Sequence, residues 1–161
     1  MADQQLFNSI YETHYDKVFR LCKGYFNGHE GMAGDAAQEI FLKVWQHLDG
    51  FRGDAKISTW LYRIAVNTCL LHLRRPAVKK EIKTEALPDV AAEEYNPVME
   101  ERLKKMYGCI QQLDETGKMI ILMVLEGLEY SAIAEVVGST EETLRVRIHS
   151  IKKQLSICVQ L

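Results

Sequence analysis

The stretch DAAQEIFLKVWQHLDGFRGDAKISTWLYRIAVNTCLLHLRR, from Asp35 to Arg75, decides the fold. Its apolar residues Ile40, Phe41, Val44, Trp45 and Leu48 recur at i, i+1, i+4, i+5 and i+8, a broad stripe on one helix. Asp35 lies near the start of that helix, where a carboxylate satisfies free backbone N–H groups. The turn-forming DGFRGDAKI comes next, and Ser58 or Thr59 then caps a second helix carrying Trp60, Leu61, Ile64 and Ala65. That helix runs to Arg74 and is stopped by Pro76. Strand-like alternation is absent, so this piece reads as all-helical.

Upstream, Leu6, Ile10, Val18, Leu21 and Cys22 predict one or two amphipathic helices, ended by the break Asn27 to Gly34. Downstream, all three prolines (Pro76, Pro88, Pro97) fall in a polar stretch without a sustained apolar period, which reads as an exposed linker. The chain of 161 residues is thereby divided into 1–76, a linker 77–98 and 99–161, an all-α arrangement of two small helical domains. The linker lets the two pieces sample many separations, so their mutual geometry is expected to depend on a partner. In the second piece a helix from Met99 to Gln112 is followed by LDETG, the apolar segment Lys118 to Glu126 and the turn GLEY. The segment YSAIAEVVGSTEETLRVRIHS then has helix-turn-helix spacing. Ile133 and Val137 flank a small Ala134, Gly138 ends the first helix in a left-handed residue, and Thr140 caps the second. Leu144, Ile148, Ile151 and Leu155 share one face of the last helix.

Composition excludes several classes. With 47% hydrophobic and 26% charged residues the chain is not disordered throughout. The longest apolar run, Met119 to Leu125, is far short of the ~20 residues of a membrane helix. The start MADQQLFNSI is no secretory signal, which points to the cytoplasm. Cys22, Cys69, Cys109 and Cys158 form no C-x-x-C pair and read as buried free thiols, and no metal site or cofactor is expected. His14, His29, His47, His72 and His149 are scattered, and Asp35 with Glu39 lacks a third ligand, so an enzyme is the least favoured class.

The net charge of -2 argues against nucleic acid only if charge is spread evenly, and it is not. Arg52 to Lys83 holds eight bases and two acids, with Phe51, Trp60 and Tyr62 interleaved, a mixture that suits single-stranded nucleic acid. Asp114 to Glu142 holds seven acids and one base, whereas Thr143 to Leu155 holds four bases, His149 and no acid. With Leu144 and Ile148 inward, Glu142, Thr143, Arg145, Val146 and His149 point outward, a face suited to a major groove.

These residues carry a family resemblance. Asp35 to Arg75, with its D-x-x-Q-E-x-F-x-x-x-W followed by T-W-L-Y-R-I-A-x-N, resembles region two of bacterial sigma factors of the extracytoplasmic-function group. The string LDETGKMIILMVLEGLEYSAIAEVVGSTEETLRVRIHSIKKQL, Leu113 to Leu155, resembles their region four. The resemblance implies a subunit that directs core RNA polymerase to specific promoters and initiates transcription, with no chemistry of its own. Asp35, Gln38, Glu39 and Phe41 match the family's surface for the clamp coiled coil of the polymerase, although Phe41 reads equally as core. The loop Asp49 to Ile57 matches the loop that captures a flipped base of the minus-ten element. With the helix after it, it assigns Phe51, Arg52, Lys56, Trp60, Arg63, Asn67, Arg74 and Arg75 to minus-ten DNA; on propensity alone Trp60 is core. The last helix matches the reader of the minus-thirty-five element, through Thr140, Glu142, Thr143, Arg145, Val146, Arg147 and His149. Met119 to Leu128 lies where the family meets the polymerase flap. An anti-sigma factor is implied as a further partner, and membrane insertion is not.

Two departures stand out. Leu113 is followed by Asp114 rather than proline, and the family's Gly-Leu-Ser-Tyr is Gly-Leu-Glu-Tyr, which places Glu129 beside the first helix of the motif. The competing readings are a free-standing helix-turn-helix regulator of duplex operators, which leaves the N-terminal basic segment unexplained, and a helical protein-interaction adaptor.

Overall fold

The computed structural model describes residues 4–51, 53, 56–82 and 96–160. The apolar stripe of the first helix is longer than its sequence suggests. A single α1 runs Gln4–Tyr25 and buries Ile10, Val18, Leu21, Cys22 and Tyr25 on one side. It ends in a tight reversal in which Gly28 N–H bonds the Lys23 carbonyl at 2.8 Å while Asn27 takes a left-handed φ of 54°, a conformation asparagine tolerates better than most residues. The helix α2 (Glu30–His47) starts at once, so the break is shorter than Asn27 to Gly34 and Asp35 lies more than a turn inside the helix rather than at its start. Ala33 is fully buried, and that contact extends the helix backward past the two glycines.

A 3-10 turn at Leu48–Gly50 leads toward α3 (Ile57–Leu73). Neither Ser58 nor Thr59 caps α3: its N-cap is Lys56, without a side-chain bond, and Thr59 is buried inside the first turn. Pro76 does not simply stop the chain. It opens α4 (Pro76–Ile82), where a missing N–H costs nothing, and Asn27 Nδ2 donates to the Ile82 carbonyl at 2.9 Å. The first part of the expected linker is therefore helical, and its residues 83–95 lie outside the described ones. The core of this half is built from α1, α2 and α3 through Val18, Leu21, Ile40, Val44, Leu61 and Ala65.

The second half comprises α5 (Pro97–Gln111), α6 (Glu115–Leu125), α7 (Tyr130–Val137) and α8 (Glu141–Gln160). Asn96 caps α5 by accepting from Val98 N–H and Met99 N–H, and Asp114 caps α6 by accepting from Gly117 N–H at 2.7 Å. Gly138, at φ 75° and ψ 39°, closes α7 as read from the sequence. Ile110, Ile120, Met123, Ile133, Leu144, Ile148 and Ile151 form the core.

The two halves pack directly on one another, α7 against α3 and both α5 and α6 against α1. Gln111 Nε2 donates to the carbonyls of Gly24 and Tyr25 at 2.9 and 3.2 Å, and Arg20 meets Glu126 at 2.9 Å. Glycine at position 24 matters because a Cβ there would overlap the buried Leu122 side chain. The free-thiol reading of the cysteines holds for Cys22 and Cys69 and fails for the other two. Packing of α5 beside α8 brings Cys109 and Cys158 to a Cα separation of 5.9 Å, and they are disulfide-bonded.

Candidate nucleic-acid interface

The exposed face of α8 begins at its cap. Thr140 Oγ1 accepts from Thr143 N–H at 3.1 Å, which satisfies one of the free donors of the helix start. Leu144, Ile148, Ile151 and Leu155 are buried, which leaves Glu142, Thr143, Arg145, Val146 and His149 exposed in one patch. The Arg145 guanidinium lies 5.3 Å from the centre of the Tyr130 ring, a cation–π contact that holds it at the edge of the patch. Arg147 is placed differently: it is half-buried and donates to both Asp114 oxygens, at 2.9 and 2.8 Å. It braces α8 to the start of α6 instead of standing free for a phosphate.

Asp114 thus serves a cap and an ion pair together. The bond from Gly117 N–H, and after it Arg147, hold its carboxyl below the ordinary value near 3.8. A carboxyl lowered in the folded chain contributes stability that is complete above the unfolded value and lost as pH falls through the folded one. Thermal unfolding at stepped pH should show that acid loss in the natural chain and a flatter acid limb in Asp114→Asn, which keeps a capping oxygen. Asp114→Ala should cost about 0.5–2 kcal/mol at neutral pH, the usual range for a lost cap.

Along α3 and its two caps, Lys56, Trp60, Arg63, Asn67 and Arg74 are spaced three, four or seven residues apart and share one face. Phe51 and Trp60 are in contact, with ring centres 5.1 Å apart, and Trp60 is half-buried, between the core and surface readings. Asn67 and Arg75 are exposed. Arg52 lies outside the described residues. Much of this face is covered by the acidic segment of the second half. Lys56 lies 3.8 Å from Glu129, Arg63 Nη2 donates to the Glu135 carbonyl at 3.2 Å, and Arg74 lies 3.5 Å from Glu115. The ion pairs of Lys56 and Arg74 are well exposed, and exposed pairs are weak and screened by salt.

A third surface lies on the far side of α2. Asp35, Gln38, Glu39 and Phe41 line one groove of about 850 Å³ with Tyr11 and Trp45. Phe41 is only 3% exposed, a core residue that also forms the floor of the groove, edge-on to Tyr11 at 5.0 Å. Gln38 and Asp35 are exposed, but Glu39 is engaged by His72 of α3 and by Lys43, and the bond from His72 lowers its carboxyl pKa. Trp45, placed by the sequence on the core stripe, stands 39% exposed at the rim against Phe7. Sequence reasoning missed the contribution of α1, although Phe7, Tyr11, Tyr15 and Phe19 recur every fourth residue. The apolar run after Met119 is also divided: Ile120, Leu122 and Met123 are core, while Val124 and Leu125 line a groove of about 370 Å³ with Met106, Leu155 and Val159.

Comparison with known proteins agrees with this geometry. Residues 10–77 match the family described as Sigma-70 region 2, and residues 103–155 match Sigma-70, region 4. The ECF RNA polymerase sigma-E factor of Escherichia coli K12 is 34% identical over 99% of this chain and 89% of its own length. That of Haemophilus influenzae is 32% identical over 99% and 90%. Among solved structures, CnrH in complex with the cytosolic domain of CnrY superimposes with a TM-score of 0.72 at 21% identity, covering 98% of this chain and 90% of that one. The sigma factor RpoE in complex with the anti-sigma factor NepR, from Bartonella quintana, gives 0.75 at 16% identity, covering 96% and 97%. An all-helical chain with these two regions in this order is a transcription initiation factor without enzymatic activity. It belongs to the sigma-70 family, in the group of extracytoplasmic-function (ECF) RNA polymerase sigma factors. It is an alternative sigma factor, which directs core RNA polymerase to promoters and initiates transcription.

Proposed function

We propose a division of labour between the two halves of this sigma factor. Residues 1–76 bind the polymerase clamp through the groove of Asp35, Gln38, Glu39 and Phe41, and hold single-stranded minus-ten DNA along α3. Residues 77–98 connect, and residues 99–161 read the minus-thirty-five element through Thr140, Glu142, Thr143, Arg145, Val146 and His149. The observation that carries the reading is the single face of α3 on which Lys56, Trp60, Arg63, Asn67 and Arg74 stand together. Cations at that spacing track a phosphate backbone, and the aromatic pair Phe51 and Trp60 offers a surface to an unstacked base.

The acidic segment over α3 supports a second element of the reading. With the Glu115 and Glu129 carboxylates and the Glu135 backbone carbonyl beside its cations, the free chain binds promoter DNA weakly, and the halves part when polymerase holds them on the promoter. RpoE of Bartonella quintana was solved with an anti-sigma factor, and we infer a partner of that kind for this chain. We place its action in the cytoplasm, and no helix among the described residues is long and apolar enough to cross a membrane.

Capture of core polymerase on the immobilised chain at low salt tests the proposal. The polymerase subunits should be recovered, and Asp35→Lys combined with Gln38→Ala should reduce recovery while leaving the helical circular dichroism unchanged, since both residues are exposed. Equal recovery with both chains would remove the α2 groove from the polymerase interface.

A further inference from the structure

Each cysteine of this protein has another cysteine beside it, one pair in each half. Cys22 and Cys69 join α1 to α3, with sulfurs 3.6 Å apart and no exposure. Burial, and then the bond to Cys22, push the Cys69 thiol well above its ordinary pKa, which keeps it protonated and unreactive. The other pair differs in access. Both line an open groove of about 1030 Å³ between α5 and α8, but Cys109 is only 4% exposed there, whereas Cys158 is half-buried. Pockets that hold drug-sized ligands measure roughly 300–1,000 Å³, so the groove is roomy enough to admit a small thiol. Its wall carries Glu100, Glu101, Lys104 and Lys105, two charges of each sign, which bar neither a cationic nor an anionic reagent.

We propose that Cys109 and Cys158 form a thiol–disulfide exchange site whose co-reactant is a low-molecular-weight disulfide. Starting from the reduced pair, Cys158 loses its proton to solvent and its thiolate attacks one sulfur of the small disulfide. A mixed disulfide forms on Cys158 and one small thiolate leaves. Cys109 then loses its proton and attacks the Cys158 sulfur, forming the protein bond and expelling the second small thiolate. Two protein thiols are oxidised and one small disulfide is reduced to two thiols; excess small thiol runs the sequence backward. The physical setting favours reversibility. Disulfides are rare in a reducing compartment, and those that form there are usually transient or redox-sensing. The bond also spans two elements with different tasks. It closes a loop of sequence separation 49, tying the last turn of α8 to the part of α5 that seats the second half on α1 through Gln111. Removing such a cross-link raises the entropy of the unfolded chain, so the reduced form is the less stable one.

The test equilibrates the full chain in buffers of stepped reduced-to-oxidised glutathione ratio, then alkylates it and maps the cysteines by mass spectrometry. Cys109 and Cys158 should pass reversibly between two thiols and one bond while Cys22 and Cys69 remain thiols. The midpoint of thermal unfolding should fall on reduction, and that shift should be lost in Cys158→Ser, a substitution at a half-exposed position. Cys109→Ser should retain glutathione on Cys158, and Cys158→Ser should leave Cys109 unmodified. The proposal is overturned if the pair stays reduced at every ratio, stays bonded at the most reducing one, or if Cys22 and Cys69 oxidise first.

Discussion

Phe26→Ala should lower folding stability by about 3–5 kcal/mol, the usual cost of emptying a buried aromatic site. Phe26 has no exposed surface and lies at the end of α1, where its N–H bonds the Cys22 carbonyl at 3.0 Å. Its ring meets His72 of α3 edge-on, with centres 6.1 Å apart. The site therefore joins the close of one helix to the packing of another. Set against a typical total of about 5–15 kcal/mol, the loss is a large share of what holds a chain of this size together. Guanidinium denaturation of the full chain measures it, and a change below about 1 kcal/mol would mean that the site collapses freely. Tyr25→Phe is the informative contrast. The Tyr25 side chain is fully buried and its hydroxyl has no hydrogen-bond partner among the described residues, so removing the oxygen should be neutral or stabilising.

The second large effect is functional. Trp60→Ala and Arg145→Ala should each lower promoter discrimination by about 1–3 kcal/mol, or roughly fivefold to 150-fold, at different promoter elements. Trp60 packs on Phe51 at the start of α3, and its loss removes a flat partner for an unstacked base. Arg145 is exposed on the opening turns of α8, held over Tyr130, and its loss removes a long donor from the face that enters a groove. Transcription by core polymerase on a randomised promoter library reads both. The Trp60 variant should lose preference at the minus-ten positions only, the Arg145 variant at the minus-thirty-five positions only. If both variants relax the same positions, the division of the two halves between the two elements fails. Arg145 is a surface residue whose replacement should hardly affect stability, whereas Trp60 is half-buried, so a thermal melt accompanies that variant.

The α2 groove shows how much of a site a local pattern can reveal. Gln38 and Asp35 are exposed where the helical period places them, because the neighbouring Ala36, Ala37 and Ile40 are drawn into the core. The same period assigns Trp45 to the core, and there it fails. The stripe is wider than the surface α1 and α3 can cover, and the residue left at its margin lines the groove with Phe7. Arg147 is a similar case. Its charge and spacing place it with Arg145, but only the fold brings Asp114, 33 positions earlier, within 2.8 Å of it.

The charge of -2 and its uneven spread, the all-helical character and the helix-turn-helix at Gly138 and Thr140 were all legible in the chain. Each depends on residues within a turn or two of one another: a carbonyl needs a left-handed glycine, an orphan N–H needs a hydroxyl, and an apolar stripe needs a period. Tertiary packing decided the rest. It closed the acidic segment over the cations of α3, bonded Cys109 to Cys158 and moved the start of α2 back to Glu30. Those outcomes turn on which distant surfaces meet, and a linear pattern carries no distance between residues that only folding makes neighbours.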